Sequence, residues 1–362
     1  MTQGQGKRVA FYAPMKSPHH PVPSGDREMA RNLINVIGAN GANVDLVSEL
    51  RIYDKRGDGD VQQDLHSQAE AEATRLIRDM PPVDLWVTYH NYYKAPDLIG
   101  PTVARARGIP YVQIESTRAT SRLTGPWASF AQSAHDACDA ADAIFYLTEY
   151  DLETLKRDRY GDQQLVHLPP FLPTGSIPPA SRLSGPMLAT GMMRAGDKLA
   201  SYDLIAQTLA HLSGDWQLQI AGDGPARAQV ETLMAPFGDR VTFLGQLDRS
   251  DLAQAYAQAS LFFWPGVNEA FGMVYLEAQS HGLPVVAQDR PGLRDVLAPR
   301  SYPTPDAGPQ AMADQISQLL GDHDLSVKRG TEARSFIAAT HLAPAATQRF
   351  WSAVTPLLEK PQ

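Results

Sequence analysis

Short apolar runs alternate with longer amphipathic stretches along the whole chain. RVAFYAP (8–14) has the pattern of a buried strand, and VDLV (44–47), DLWVTY (84–89), YVQIE (111–115), AIFYL (143–147) and LVHL (165–168) repeat it. Helical patterns such as DREMARNLINVIGAN, QAEAEATRLIRD and APDLIGPTVARARG lie between them. Apolar strands alternating with helices predict a parallel sheet covered on both faces. Residues 1–168 therefore read as one doubly wound α/β domain. The pattern stops at PPFLPTGSIPPASRLSGP, where five prolines between Pro169 and Pro179 exclude helix and central strand, so 169–182 reads as a hinge. It restarts with MLAT (187–190), LQIAG (218–222), VTFLG (241–245), LFFWP (261–265) and PVVAQ (284–288), again with helical patterns between, for a second doubly wound domain over 183–340. The tail reads as three helices, and the last, within 341–362, is expected to pack back on the first domain.

Composition narrows the function classes. The chain has 362 residues and a net charge of -8, with 18 basic and 22 acidic side chains up to residue 170 and 14 and 18 beyond it. Neither half is a basic module, which argues against nucleic acid as a partner. The single cysteine, Cys138, sits in a small-residue helical segment and reads as a buried packing residue. No apolar run approaches 18 residues and the first residues show no secretory pattern, so the expectation is a cytoplasmic protein, with peripheral membrane contact left open.

In paired doubly wound domains, ligands are expected outside the carboxyl ends of the strands. The loop after the first strand, KSPHHPVPSGDREMARNL, is long for a strand-to-helix connection and places Gly25 before a helix, where backbone amides favour an anion. Asp26 reads alternatively as that helix's cap. His90, Glu115 and Arg118 fall at later strand ends. In the second half, Arg194 and Lys198 stand four apart just before a helix, suited to a diphosphate. AGDGP supplies Gly222 and Gly224 in a tight turn, with Pro225 at the first helical position. Asp58–Asp60 reads as a turn, and His19 and His20 have no Cys or acidic partner at metal-ligand spacing, so no metal is expected there.

The stretch NEAFGMVYLEAQSHGLPVVA sets Glu269 and Glu277 eight residues apart, with a helix opening near Phe271 and Gly272 between them. On one straight helix that spacing is about 12 Å, too far for the acid–nucleophile pair of a retaining glycosidase, which needs about 5 Å. It suits two acids touching different parts of one long ligand, with the free amides of Gly272, Met273 and Val274 between them.

This E-x7-E pattern, together with AGDGP, FLGQL, the Arg194–Lys198 turn and GLPVVA in that order, resembles the retaining GT-B glycosyltransferases, in particular glycosyltransferase family 4. The resemblance implies two Rossmann-like domains and a metal-independent, hexosyltransferase-type transfer from a nucleotide-diphosphate sugar to a glycan or glycolipid acceptor, with no cofactor. It implies that Glu269 holds the donor sugar, Glu277 the ribose, and the backbones of Gly272, Met273 and Val274 the sugar and diphosphate. Arg194 and Lys198 would neutralise the leaving group, and Leu247 would lie near the base. Two departures stand out. Gly191-Met192-Met193 replaces a Gly-Arg-Leu found in many members, and Glu115 stands where many carry a histidine, so that either Glu115 or His90 substitutes for it or the acceptor chemistry differs. A nucleotide-sugar epimerase or hydrolase of the same fold, or a non-catalytic sugar-nucleotide-binding protein, is the alternative.

Overall fold

The computed structural model describes residues 3–22 and 24–359. The chain divides into two compact units, one running to Pro169 and including the segment from Ala343, the other Pro170–Leu342.

In the first unit, strands β1 (Arg8–Tyr12), β2 (Asn43–Ser48), β3 (Leu85–Asn91), β4 (Tyr111–Ser116), β5 (Ala143–Tyr146) and β6 (Gln164–His167) form one sheet in the order β2-β1-β3-β4-β5-β6. Every pairing is parallel. The central strands are buried almost throughout, which is why they read as continuous apolar runs rather than alternating ones. Helices α1 (Gly25–Gly38), α2 (Gly59–Asp79), α3 (Gly100–Arg107), α4 (Ala128–Ala140) and α5 (Glu149–Arg157) form the crossovers. Cys138 is fully buried on α4. Asp58 is not a turn residue. Its carboxylate accepts from the amides of Asp60 and Val61 and caps α2, which places Asp60 in the helix.

The second unit holds β7 (Met187–Thr190), β8 (Leu218–Ala221), β9 (Val241–Gly245), β10 (Phe262–Phe263) and β11 (Val285–Val286), in the order β11-β10-β7-β8-β9. All are again parallel. Helices α6 (Asp197–Leu209), α7 (Arg227–Met234), α8 (Arg249–Gln258) and α9 (Met273–Ser280) connect them, and α10 (Gly308–Gly321) and α11 (His323–Thr340) follow. Its core is built on Leu188, Ile220, Phe262, Trp264, Tyr275 and Val286. The last helix, α12 (Ala343–Leu358), belongs to the first unit. There Trp351 and Thr347 donate to the carbonyls of Ile37 and Val36 at 3.1 Å, and Phe350 stacks on Phe145. No helix of the described residues is long and apolar enough to cross a membrane.

Each sheet has one point where the strand order reverses: between β1 and β3 in the first unit, and between β7 and β10 in the second. Crossovers from these neighbouring strands leave toward opposite faces, and the parted loops open a crevice at the carboxyl ends.

Candidate functional site

At the first reversal point Ser24 caps α1, its hydroxyl accepting from the Arg27 amide. This corrects the assignment of the cap to Asp26. Freed from capping, the Asp26 carboxylate lies 3.3 Å from Nδ1 of His90, and Glu115 lies 4.0 Å from the same nitrogen. Gly25 is the first residue of the helix. His90 and Glu115 both adopt positive φ, 67° and 59°, an uncommon and costly conformation for side-chain-bearing residues. The residues on either side keep register, with Tyr89 opposite Ile114 and Asn91 opposite Ser116, so the paired kinks turn both side chains without ending the ladder. Asp151, in the first turn of α5, also acts on His90 and Glu115.

The charges of this cluster pull in opposite directions. Burial opposes the His90 imidazolium, but the Glu115 and Asp26 carboxylates outweigh it and raise its pKa. Burial also opposes ionisation of Asp26, yet the His90 contact prevails and lowers its pKa. Burial pushes the Glu115 carboxyl up against the pull of His90. Oε2 of Glu115 is buried with no hydrogen-bond partner among the described residues. Arg118 is directed elsewhere: its guanidinium is buried and pairs with Asp139 at 2.6 Å, so it supports the fold rather than joining the cluster.

At the second reversal point, α6 starts at Asp197, so Lys198 lies in its first turn and not ahead of the helix. Its Nζ pairs with Oε1 of Glu269 and lies 5.4 Å from the centre of the Trp264 ring. The Trp264 Nε1 donates to the same carboxylate oxygen at 3.0 Å. Glu269 is thus held from two sides on a loop whose Asn268 has φ 47° and is tied by its amide to Asp197 at 2.9 Å. Gly272 follows at φ 60° as the residue before α9, and a Cβ there would stand 2.8 Å from the Tyr275 ring. Only glycine turns the chain there without strain, and the turn presents the opening amides of α9. Glu277 lies within α9 and accepts from the Tyr256 hydroxyl at 3.0 Å, and burial pushes its carboxyl up.

Gly222 and Gly224 are explained first by packing. A Cβ on Gly222 would fall 1.9 Å from the Gly191 carbonyl oxygen, and one on Gly224 2.4 Å from that of Met193. The loops after β7 and β8 meet backbone to backbone, and the Met193 amide donates to the Asp223 carbonyl. Helix α7 opens at Arg227, which leaves Pro225 in the preceding turn and not in the helix. Arg194 is exposed, and among the described residues its guanidinium forms no ion pair. Leu247, Phe271, Met273 and Val274 are half-buried and pack against the core.

The structure thus brings together His90 with Glu115, and separately Lys198 with Glu269. Asp26, read from the sequence only as a cap, and Asp151 join the first cluster, Trp264 joins the second, and Tyr256 contacts Glu277; the last three were not singled out. Trp264 carried one signal in the sequence: it ends an apolar strand run, directly before the loop that holds Glu269.

Comparison with known proteins bears on the second unit first. Residues 187–322 match the family Glycosyl transferases group 1. The alpha-D-kanosaminyltransferase of Streptomyces kanamyceticus is 27% identical over 271 residues, which cover 67% of this chain and 70% of that enzyme. A GDP-mannose-dependent alpha-mannosyltransferase of Mycolicibacterium smegmatis is 40% identical over 85 residues, 24% of this chain and 22% of that enzyme. Sucrose-phosphate synthase from Thermosynechococcus elongatus has a similar fold, with a TM-score of 0.71 at 19% identity over 97% of this chain and 99% of that one. HepE from Anabaena, solved in complex with UDP, has a TM-score of 0.72 at 15% identity over 97% of this chain and all of that one. The fold is GT-B: two parallel-sheet, Rossmann-like α/β domains.

Proposed function

We propose that this chain, which carries a glycosyl transferases group 1 domain at 187–322, is a retaining, family 4 transferase. In this reading it moves a sugar from a nucleotide-diphosphate donor to a hydroxyl of a glycan or glycolipid acceptor, without a required metal. The observation that carries it is the second reversal point. There Glu269, held by Lys198 and Trp264, stands directly before the amide-presenting start of α9, with Glu277 further along the same helix.

Each residue has a role that follows from its chemistry. Glu269 accepts from donor-sugar hydroxyls, and Glu277, steadied by Tyr256, accepts from those of the ribose. The amides of Gly272, Met273 and Val274 donate to the diphosphate, and Phe271 and Leu247 border the sugar and the base. As the glycosidic bond breaks, negative charge grows on the leaving phosphate. Lys198 and the exposed, unpaired Arg194 supply positive charge there, together with preoriented amides, which is the form of stabilisation worth most in such a step. Lys198 is tied to the sugar-binding acid, which places its charge beside the opening of α9 where the phosphate would lie. Gly222 and Gly224 keep the neighbouring loop low enough for the donor to approach. On the first unit, the backbone at Gly25 is an anion-binding position for the donor, while His90 and Glu115 form the acceptor side, where the carboxylates around His90 orient an incoming hydroxyl.

The test is a thermal-shift series with UDP, GDP and ADP at millimolar concentration, followed by the matching nucleotide sugars. Binding to the folded state must raise the melting temperature. The expected result is a clear preference for one nucleotide, followed by sugar transfer in excess EDTA. No shift with any nucleotide overturns the donor reading, and complete loss of turnover in EDTA overturns the metal-independent mechanism.

A further inference from the structure

Beyond His90, the carboxyl end of the first sheet carries a strip of aromatic rings and unneutralised cations. The His90 ring lies 4.8 Å from that of Tyr92, Tyr92 lies 5.6 Å from Tyr93, and Tyr93 meets Trp127 edge to face at 5.7 Å. Lys94 stands 5.5 Å from the Tyr93 ring centre and 5.4 Å from that of Trp127. Arg122 stands 5.2 and 5.5 Å from the same two rings. Among the described residues neither cation forms an ion pair. Asp54, whose backbone bonds to Lys94 and Trp127, has its carboxylate engaged elsewhere. Its carboxylate accepts from the amides of Arg56 and Asp58 at 2.8 Å and from the Gln62 side chain at 2.7 Å.

The strip is pinned by the fold. The Asp54 amide donates to the Lys94 carbonyl, and the Gln62 side chain donates to the Pro126 carbonyl beside Trp127. The loops after β2, β3 and β4 are thereby tied together. Two like charges held over one pair of rings repel each other, and cation–π attraction offsets only part of that. In a chain of net charge -8 such a local excess of positive charge is unusual. An anionic phosphate at the two cations offsets the repulsion. Arginine offers it a fork and lysine a point charge, and the rings offer flat apolar faces to whatever carries the anion.

We propose that this strip binds a phosphate group on the acceptor, with Lys94 and Arg122 holding the phosphate and Tyr93 and Trp127 packing on the adjoining part of the molecule. The inference rests on the first unit being the acceptor side, and it names the acceptor's chemical class. The phosphate has two sources, a free sugar phosphate or a phosphate-bearing lipid.

Binding of glucose 6-phosphate, of glucose, and of vesicles of phosphatidylglycerol or of phosphatidylcholine alone would be measured by calorimetry and flotation. Wild type would be compared with the variant Lys94→Gln/Arg122→Gln, in which Lys94 is half-buried and Arg122 exposed. Nucleotide binding in each protein serves as the control for the second unit and for folding. The expected result is that glucose 6-phosphate or phosphatidylglycerol vesicles bind at least ten times more tightly than the uncharged counterpart. The double variant should lose that preference tenfold or more, with nucleotide binding unchanged. Preference for the sugar phosphate identifies a soluble source, and preference for phosphatidylglycerol a lipid one. Equal binding by wild type and variant, or no preference for phosphate in either arm, overturns the proposal. Loss of nucleotide binding in wild type strikes instead at the transferase reading.

Discussion

The two strand-order reversals share a topology and differ in chemistry. Between β1 and β3 a histidine stands among carboxylates, His90 with Asp26 and Glu115, so the charge there changes with pH. Between β7 and β10 a lysine and a glutamate pair beside a tryptophan whose ring nitrogen donates to the same carboxylate. The first arrangement is soft and suits handling a hydroxyl and its proton. The second is hard and suits holding a charged, hydroxyl-rich ligand still. The doubly wound topology supplies the crevice in both cases, and only the side chains on its rim distinguish the tasks.

The sharpest way to break this contrast is Glu269→Ala. It should leave folding intact and lower kcat/KM by about 100- to 1,000-fold, the range for losing a group that positions the reacting centre; steady-state turnover near wild type would remove Glu269 from its role. The next effect is on stability alone. Gly222→Ala drives a Cβ into the Gly191 carbonyl at φ 146°, so urea unfolding should show a loss of about 2–4 kcal/mol. An unchanged midpoint would mean that the two loops are not pressed together.

His90→Gln probes the soft site. The raised pKa of His90 means that its contribution to stability is complete below its unfolded value of 6.5 and is lost as pH rises through the folded value. The lowered pKa of Asp26 works oppositely: its contribution is present above the unfolded 3.8 and is lost as pH falls through the folded value. The pair is strongest between those limits. The stability difference between wild type and variant should therefore be largest near pH 6 and shrink toward pH 9. A difference that is flat from pH 5 to 9 would show the cluster to be electrostatically inert. Trp264→Phe probes the hard site most gently. It keeps an aromatic ring near Lys198 but removes the hydrogen bond to Glu269 and part of the buried ring's packing, so kcat/KM should fall about fivefold, near 1 kcal/mol.

The strands, their parallel pairing and the helical tail were legible because buried strands and amphipathic helices leave different periods in the sequence. Glu269, Glu277 and the glycines between β8 and α7 were legible as a motif, since the spacing sets Glu269 and the glycines in loops and Glu277 inside the helix that follows. Partners were not. That Asp26 turns to His90 rather than capping α1 depends on Ser24 taking the cap, a competition between adjacent residues that composition does not decide. That Arg118 turns inward to Asp139, while Arg122 lies over two rings, depends on loops from distant parts of the chain.

The sequence by itself determined two parallel α/β sheets and the acidic motif on the second, because periodicity and short-range turn chemistry are local. Tertiary structure alone decided which charges meet. Lys198 reaches Glu269 across 71 residues, and His90 reaches Asp26 across 64, because β7 lies beside β10 and β1 beside β3 in their sheets. Ion pairs, strained φ angles at strand ends and cations left without acids follow from that adjacency, and adjacency is a property of the folded sheet rather than of any stretch of chain.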